Sequence, residues 1–281
     1  MGSAFPARYT KEGAARGRRM LVSAIFLVFA LFVLAARWFT SPADRRRSEI
    51  LLLSLLLAFP AIRFAEFLAG GFVSLLASCR PQRYDLYINR FDGLFGHPSF
   101  FLGRWVASSH FLTALVAQVY EMPVTVMLAV FIVYAYLRED EKFLVARAFL
   151  FNLFLALPLY IAFPVCGPKY AFPGFPRYPG PVPAHVVAIA APPNGVPSVH
   201  NSIAMLCAAF LWRWKWGRVF GSLFVALTVL ATLANGEHYV FDVLSAIPFT
   251  LLVWKVTHLS WGVFRVSSAP IPPRESAEAH P

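Results

Sequence analysis

PSVHNSIAMLCAAFLWRWKWGRVFGSLFVALTVLATLANGEHYVFDVLSAIPFTLLVWKVTHL, residues 197–259, decides how this chain folds. It contains three apolar runs, roughly 199–213, 217–235 and 239–259, separated by two very short polar breaks. A soluble helix would alternate apolar and charged faces, whereas these runs are apolar all round, as a helix in lipid requires. The first break, WRWKWGR at 212–218, is a tight basic turn. The second, NGEH at 235–238, ends one helix at Gly236 and starts the next at once. Three helices joined this tightly must run antiparallel, so the starts of the first and third reach one face of the membrane.

The rest of the chain agrees. Of 281 residues, 58% are hydrophobic and 14% charged. A soluble domain carries about 25% charge, so the polar shell of a soluble core is missing and a bilayer must supply the solvent. Four further apolar runs, roughly 20–38, 49–76, 121–137 and 143–164, bring the expected spans to seven. The expected fold is an all-α polytopic integral membrane bundle with about six to seven transmembrane helices and an interfacial helix. The interfacial piece is FFLGRWVASSHFLTALVAQV at 100–119, whose apolar pattern is interrupted by Arg104, Ser108, Ser109 and His110. A full span is the alternative there. Arg63 and Glu66 lie one turn apart within the second run, a spacing that suits a pair at a helix contact.

Three units are expected: 1–79 with two transmembrane helices, a membrane domain at 80–262, and a disordered tail at 263–281. Met20–Ala36 follows a basic segment but precedes no small-x-small cleavage site, so it reads as a retained span. Residues 164–197 are rich in proline and glycine, too irregular for a regular helix and too long for an idle connection. Cys79, Cys166 and Cys207 form no CxxC pair, so neither a zinc site nor a disulfide framework is indicated.

The net charge is +11. Its clusters, Arg16, Arg18 and Arg19, Arg45–Arg47, and Arg213, Lys215 and Arg218, fall between apolar runs. Such clusters set topology and touch anionic headgroups; nucleic acid is not an expected partner. With 212–218 cytoplasmic, LREDEK at 137–142 is cytoplasmic too, and the Pro-rich loop lies outside. The same count leaves the N-terminus outside despite its basic residues.

Chemistry concentrates in two motifs. In Pro197-Ser198-Val199-His200, Ser198 is a good N-cap and His200 stands in the first turn of a helix. Free amides at a helix start suit a phosphate. In Asn235-Gly236-Glu237-His238-Tyr239-Val240-Phe241-Asp242, His238 and Asp242 are four apart, which predicts one shared helix face. A carboxylate accepting from one imidazole nitrogen fixes the tautomer and makes the other a better nucleophile or base. Either motif alone more often marks an interfacial histidine. Together on one face they suit phosphoryl transfer, one histidine attacking phosphorus and the other protonating the leaving oxygen. A metal site needs three or four converging ligands, and no third His or Cys is placed for it.

PSVH followed by GEHYVFD resembles the type 2 phosphatidic acid phosphatase superfamily, and more closely its branch of inositol phosphorylceramide and sphingomyelin synthases. GPKYAFPGFP at 167–176 and NRFDGLFGHP at 89–98 are similar to regions of that branch, so the resemblance covers about residues 80–260. It implies that His238 is the nucleophile, Asp242 its partner and His200 the general acid, without metal or cofactor. Lys169, Arg177 and Ser198 are the candidate phosphate contacts. The phosphatases of the family carry Ser-Arg where this chain has Ala231 and Thr232. They also space a lysine and an Arg-Pro pair by six residues, whereas Lys169 and Arg177 stand one residue further apart and Tyr178 follows. The missing Ser-Arg favours the synthase-like branch over the simple phosphatases.

The expected protein is therefore a membrane lipid phosphotransferase acting on a phospholipid or other lipid phosphate, in the bacterial inner membrane with its site on the outer face. The alternatives are a lipid phosphate phosphatase, a transporter or lipid carrier using the histidines as proton relays, and a non-catalytic scaffold. A transporter would carry buried charge near the midplane and inverted repeats, and no repeat is apparent.

Overall fold

The computed structural model describes residues 67–138 and 141–267, with isolated positions at 49, 60, 64 and 65. Helix α1, Phe67–Cys79, leads to a short strand β1, Gln82–Arg83, and helix α2, Asp85–Asp92. A 3-10 turn, Gly93–Phe95, precedes α3, Pro98–Ala107, and α4, His110–Leu137. Then come α5, Lys142–Ala162, the single turn α6, Pro168–Ala171, and strand β2, Val187–Ala188. Three helices close the fold: α7, Val199–Leu211; α8, Lys215–Ala234; and α9, Val240–Ser267.

Among the described residues four helices are long and apolar enough to cross a bilayer: His110–Ala135, Phe143–Ala162, Lys215–Ala234 and Val240–Leu259. Phe67–Cys79 and Val199–Leu211 are apolar but shorter. The chain is an all-α membrane bundle, as expected. The span expected at 20–38, the first half of the one expected at 49–76 and the Arg63–Glu66 pair fall wholly or largely outside the described residues. Leu223, Leu227, Leu230, Leu251 and Leu252 are exposed on the outer faces of α8 and α9, where lipid is their solvent.

One expected element is corrected. The stretch 100–119 is not a single interfacial helix. It breaks at Ser108 and Ser109, and from His110 it belongs to α4. Ser109 adopts an extended conformation and its Oγ accepts from the Leu112 amide at 3.4 Å, an N-cap for the span. The polar residues that read as interruptions are the start signal of the span. Only α3 remains as the short helix before it, with Phe101 and Trp105 exposed on one face and Phe100 and Val106 buried on the other. The Pro-rich loop also holds more regular structure than expected, the turn α6 and strand β2. β2 pairs antiparallel with β1, with Gln82 opposite Ala188 and Arg83 opposite Val187.

The bundle has two distinct ends. At one, Arg213 in the basic turn pairs with Glu141 (3.4 Å), and Tyr134 packs edge-on to Trp214. The 137–142 and 212–218 turns therefore share an end. At the other, Tyr120 of α4 lies on His200 of α7, and the Tyr160 hydroxyl of α5 reaches the Pro197 carbonyl at 3.5 Å.

Small residues hold α7 against α8. A Cβ on Gly221 would lie 2.8 Å from the Ala208 Cα, and one on Gly217 would strike the Leu211 carbonyl. Gly217 and Gly221 form a GxxxG face, which lets backbones approach closely where lipid supplies no hydrophobic drive between helices. Within the bundle, Ser202 donates to Asn152, and Thr250 contacts Ser202 at 2.9 Å, linking α5, α7 and α9. Each such interhelical bond contributes only about 0.6 kcal/mol, so close packing carries the association.

Candidate active site

The site is assembled from two helix starts. At α7, the Ser198 Oγ caps the helix by accepting from the Asn201 amide at 3.5 Å and from its side-chain Nδ2 at 2.9 Å. His200 follows in the first turn, half-buried, its ring stacked on Tyr120 with centroids 4.3 Å apart and planes 22° apart. The Ser198 amide donates to the Asp242 carbonyl at 3.2 Å, tying the start of α7 to the first turn of α9.

At α9, His238 lies outside the helix, so His238 and Asp242 do not share a helix face as expected. Val240 opens α9, and Asp242 sits in its first turn. The Asp242 Oδ2 reaches back to accept from the Tyr239 amide at 2.9 Å and lies 3.2 Å from His238 Nδ1. An acidic residue at the third helical position that returns to the capping amide is half of a capping box, here extended to the imidazole. The contact expected from the spacing is present, through a cap instead of a face. His238 is 4% exposed and Asp242 fully buried.

The His238 backbone is held as firmly as its ring. Its amide donates to the Thr232 carbonyl at 3.3 Å, and its carbonyl accepts from Ser99 Oγ at 3.0 Å. Gly236, at φ +67°, makes the turn, and a Cβ there would enter the Phe175 ring. Gly167 has φ +102°, and a Cβ on it would strike the Glu237 carbonyl. The Pro-rich loop and the His238 segment thus touch backbone to backbone, and the Lys169 amide donates to the Gly236 carbonyl at 3.0 Å. With Nδ1 engaged, the Nε2 of His238 is the nitrogen left for chemistry. The His200 ring lies 6.3 Å away, centroid to centroid.

Lys169 adjoins the segment that carries His238, its Nζ ion-paired to Glu237 and 4.8 Å over the Tyr170 ring. The Tyr170 hydroxyl donates to the other Glu237 oxygen at 3.2 Å. Burial pushes the Tyr170 hydroxyl well up from its ordinary value, with Glu237 adding to the effect. Arg177 lies on the exposed side of the loop, and no side-chain contact joins it to either histidine among the described residues. Ser198 is 0% exposed. Its oxygen accepts from the backbone and side-chain nitrogens of Asn201 and so shapes the α7 start. Thr232, in place of the family arginine, is also fully buried and accepts from Asn201 Nδ2 at 3.0 Å. A neutral polar cluster occupies that place. Among the described residues no group of three or more His, Cys, Asp or Glu is placed to hold a metal ion.

Several site residues were not singled out from the sequence. Glu237 adjoins His238 and was legible as a charge inside the motif. Tyr120 left no signal, because it lies near no motif in the chain, and Ser99 adjoins the 89–98 stretch but carries no pattern of its own. Asp85 and Asp92 are seven apart, two helical turns, a spacing that places both on one face of a polar helix. Both are buried, and burial raises their carboxyls to about 6 and about 7.

The match with known proteins follows this geometry. A sequence profile of the PAP2 superfamily matches residues 88–256, more than half the chain, from within α2 to within α9, both histidines included. The chain belongs to the PAP2 superfamily, whose chemistry is of the lipid-phosphate phosphatase and phosphotransferase kind. With four helices among the described residues long and apolar enough to span a bilayer, it is an integral membrane protein. No curated protein and no solved structure matches it.

Proposed function

We propose that the protein transfers a phosphoryl-linked headgroup from one membrane lipid to the hydroxyl of another, through a phosphohistidine on His238. The observation that carries this reading is the His238–Asp242 contact with the His200 ring 6.3 Å away. Asp242 holds a proton on Nδ1, so the Nε2 lone pair attacks phosphorus. The P–N bond forms as the P–O bond to the donor breaks, and His200 gives its proton to the departing oxygen. In the second half, the neutral His200 takes the proton of the acceptor hydroxyl as its oxygen attacks phosphorus and the P–N bond breaks. Asp242 stabilises the imidazolium of the intermediate. The chemistry calls on no metal and no cofactor.

Lys169 and Arg177 are the proposed phosphate cations. Lys169 is the better placed, because its loop contacts the His238 segment directly. The fully buried Thr232–Asn201 cluster, where the phosphatases of the family carry arginine, supports the synthase-like reading over simple hydrolysis. We place the site on the outer face of a bacterial inner membrane. The basic turn with Arg213, Lys215 and Arg218 lies at the opposite end of the bundle, as the positive-inside rule requires.

The test is turnover by purified protein. Incubation with a headgroup-labelled phospholipid and a lipid alcohol should yield labelled product lipid, with label trapped on His238 when the acceptor is omitted. Release of free phosphate alone would replace this reading by a lipid phosphate phosphatase. Flux across liposomes that depends on His238 without any lipid product would replace it by a transporter.

A further inference from the structure

Helix α2 presents two buried carboxylates, and neither touches a histidine. The Asp85 carboxylate accepts from the amides of Cys166 (3.1 Å) and Gly167 (2.9 Å), and from the Tyr239 hydroxyl at 3.2 Å. The Asp92 carboxylate accepts from the amides of Val240 (2.9 Å) and Phe241 (3.4 Å), the first two of α9. Each of these bonds joins α2 to a segment at least 81 residues away in sequence. Asp85 thereby holds the loop that carries Lys169 and the residue that follows His238. Asp92 holds the first turn of α9, from which Asp242 reaches His238.

We propose that Asp85 and Asp92 are positioning residues of the active site, a two-carboxylate clamp on α2 that sets the His238–Asp242 segment and the Lys169 loop in register. The proposal rests on the reading of His238 as the nucleophile. The residue type is informative. Both sites face only N–H and O–H donors, apart from the weak Cys166 thiol contact at 3.4 Å. A carboxylate offers acceptors alone, whereas an asparagine would turn an amide N–H toward donors. Asp92 also places negative charge at the positive end of the α9 dipole. Both carboxyls also feel the charge of Asp242, the partner of the His238 imidazole. Keeping them there costs desolvation, and a purely structural tie would be met as well by neutral acceptors.

The two positions differ in what they hold, and the test uses that difference. Full-length wild type, Asp92→Asn, Asp85→Asn and Tyr239→Phe are compared in lipid–detergent micelles. kcat and KM are measured with short-chain fluorescent phosphatidylinositol and with dioctanoyl phosphatidate. The rate of diethyl pyrocarbonate modification of His238 is followed on its peptide by mass spectrometry. Asp92→Asn should lower kcat about tenfold to a hundredfold with KM nearly unchanged, as displacement of a reacting group by about 1 Å does. Asp85→Asn should lower kcat and also raise KM, because the Lys169 loop moves with it. Tyr239→Phe should lower kcat less than either, and it decides the Asp85 arm if Asp85→Asn does not accumulate. In each variant the His238 modification rate should change. Wild-type kcat in these variants overturns the clamp. So does a loss proportional to the folded fraction with His238 reactivity unchanged. If the wild type turns over neither lipid while Asp92→Asn still alters His238 reactivity, the functional reading fails and the clamp stands.

Discussion

The two helices that bring the histidines to the site begin in different ways. The start of α7 is capped by its own neighbour in the chain. Ser198 caps it from the adjacent position, and His200 follows in the first turn. The start of α9 is not. Its own Asp242 satisfies the Tyr239 amide and reaches His238, but the next two amides depend on Asp92, 148 residues earlier in the chain. His200, the proposed acid, thus rides on a locally capped helix, and His238, the proposed nucleophile, sits on a turn specified mainly by tertiary contacts. A general acid tolerates some play, because a proton moves along a hydrogen bond. A nucleophile must meet phosphorus along one line, so its segment is tied at both backbone and ring.

The contrast is broken most severely at its centre. His238→Ala should lower lipid turnover by about 10⁴-fold or more and abolish trapped label, because no other group attacks phosphorus. Retained turnover would remove His238 from the mechanism. Asp242→Asn should cost about 10²- to 10⁴-fold, because an asparagine in place of the carboxylate holds the wrong tautomer and loses the cap. If it matches wild type in initial-rate assays, the imidazole is oriented by something else. His200→Ala should lower turnover of ordinary lipids strongly and spare a nitrophenyl phosphodiester, whose leaving group needs no proton. Equal loss on both substrates would deny His200 the acid role.

Smaller effects sharpen the comparison. Gly221→Val puts a branched side chain where even a Cβ lies 2.8 Å from Ala208, and should destabilise the bundle by about 1–3 kcal/mol in detergent unfolding. Unchanged stability would mean that α7 and α8 are not held by that contact. Ser198→Ala should cost about 1 kcal/mol of stability, with only a modest loss of kcat, as befits a local cap. A loss of activity as large as that of Asp242→Asn would show that Ser198 meets the substrate after all.

The pH dependence of the α9 start has a definite sign. Burial raises the Asp92 carboxyl from its ordinary 3.8 to about 7, so the folded protein binds that proton more tightly than the unfolded chain. The stability this contributes is present below about pH 4 and is lost as pH rises through 7. The midpoint of thermal unfolding in detergent should therefore fall between pH 5 and 8, and Asp92→Asn should flatten that slope. An equal slope in the variant would place the titration elsewhere.

Much of this was legible in the chain before any fold was known. The runs at 143–164, 217–235 and 239–259 match α5, α8 and the membrane part of α9 closely, because apolar length in lipid leaves a helix little choice. The shared end of the 137–142 and 212–218 turns followed from charge and antiparallel connection. The stretch 100–119 was misread because serine is ambiguous by composition: in an interfacial helix it interrupts, and before a span it caps. The pairing of His238 with Asp242 was visible as a spacing, but its geometry was not, since a residue four positions away is reached equally from a helix face or from a cap.

What the sequence alone determined is the kind of solvent, the helical architecture, and the two histidines with their aspartate, because hydropathy, capping and short spacings are local properties. Tertiary structure alone decided what surrounds them. It set Tyr120 against His200, Glu237 on Lys169, and Asp85 and Asp92 at the amides around the His238 segment. The physical reason is that a buried donor or acceptor must be satisfied by whatever the fold brings near it, and for these groups the partner comes from a distant part of the chain.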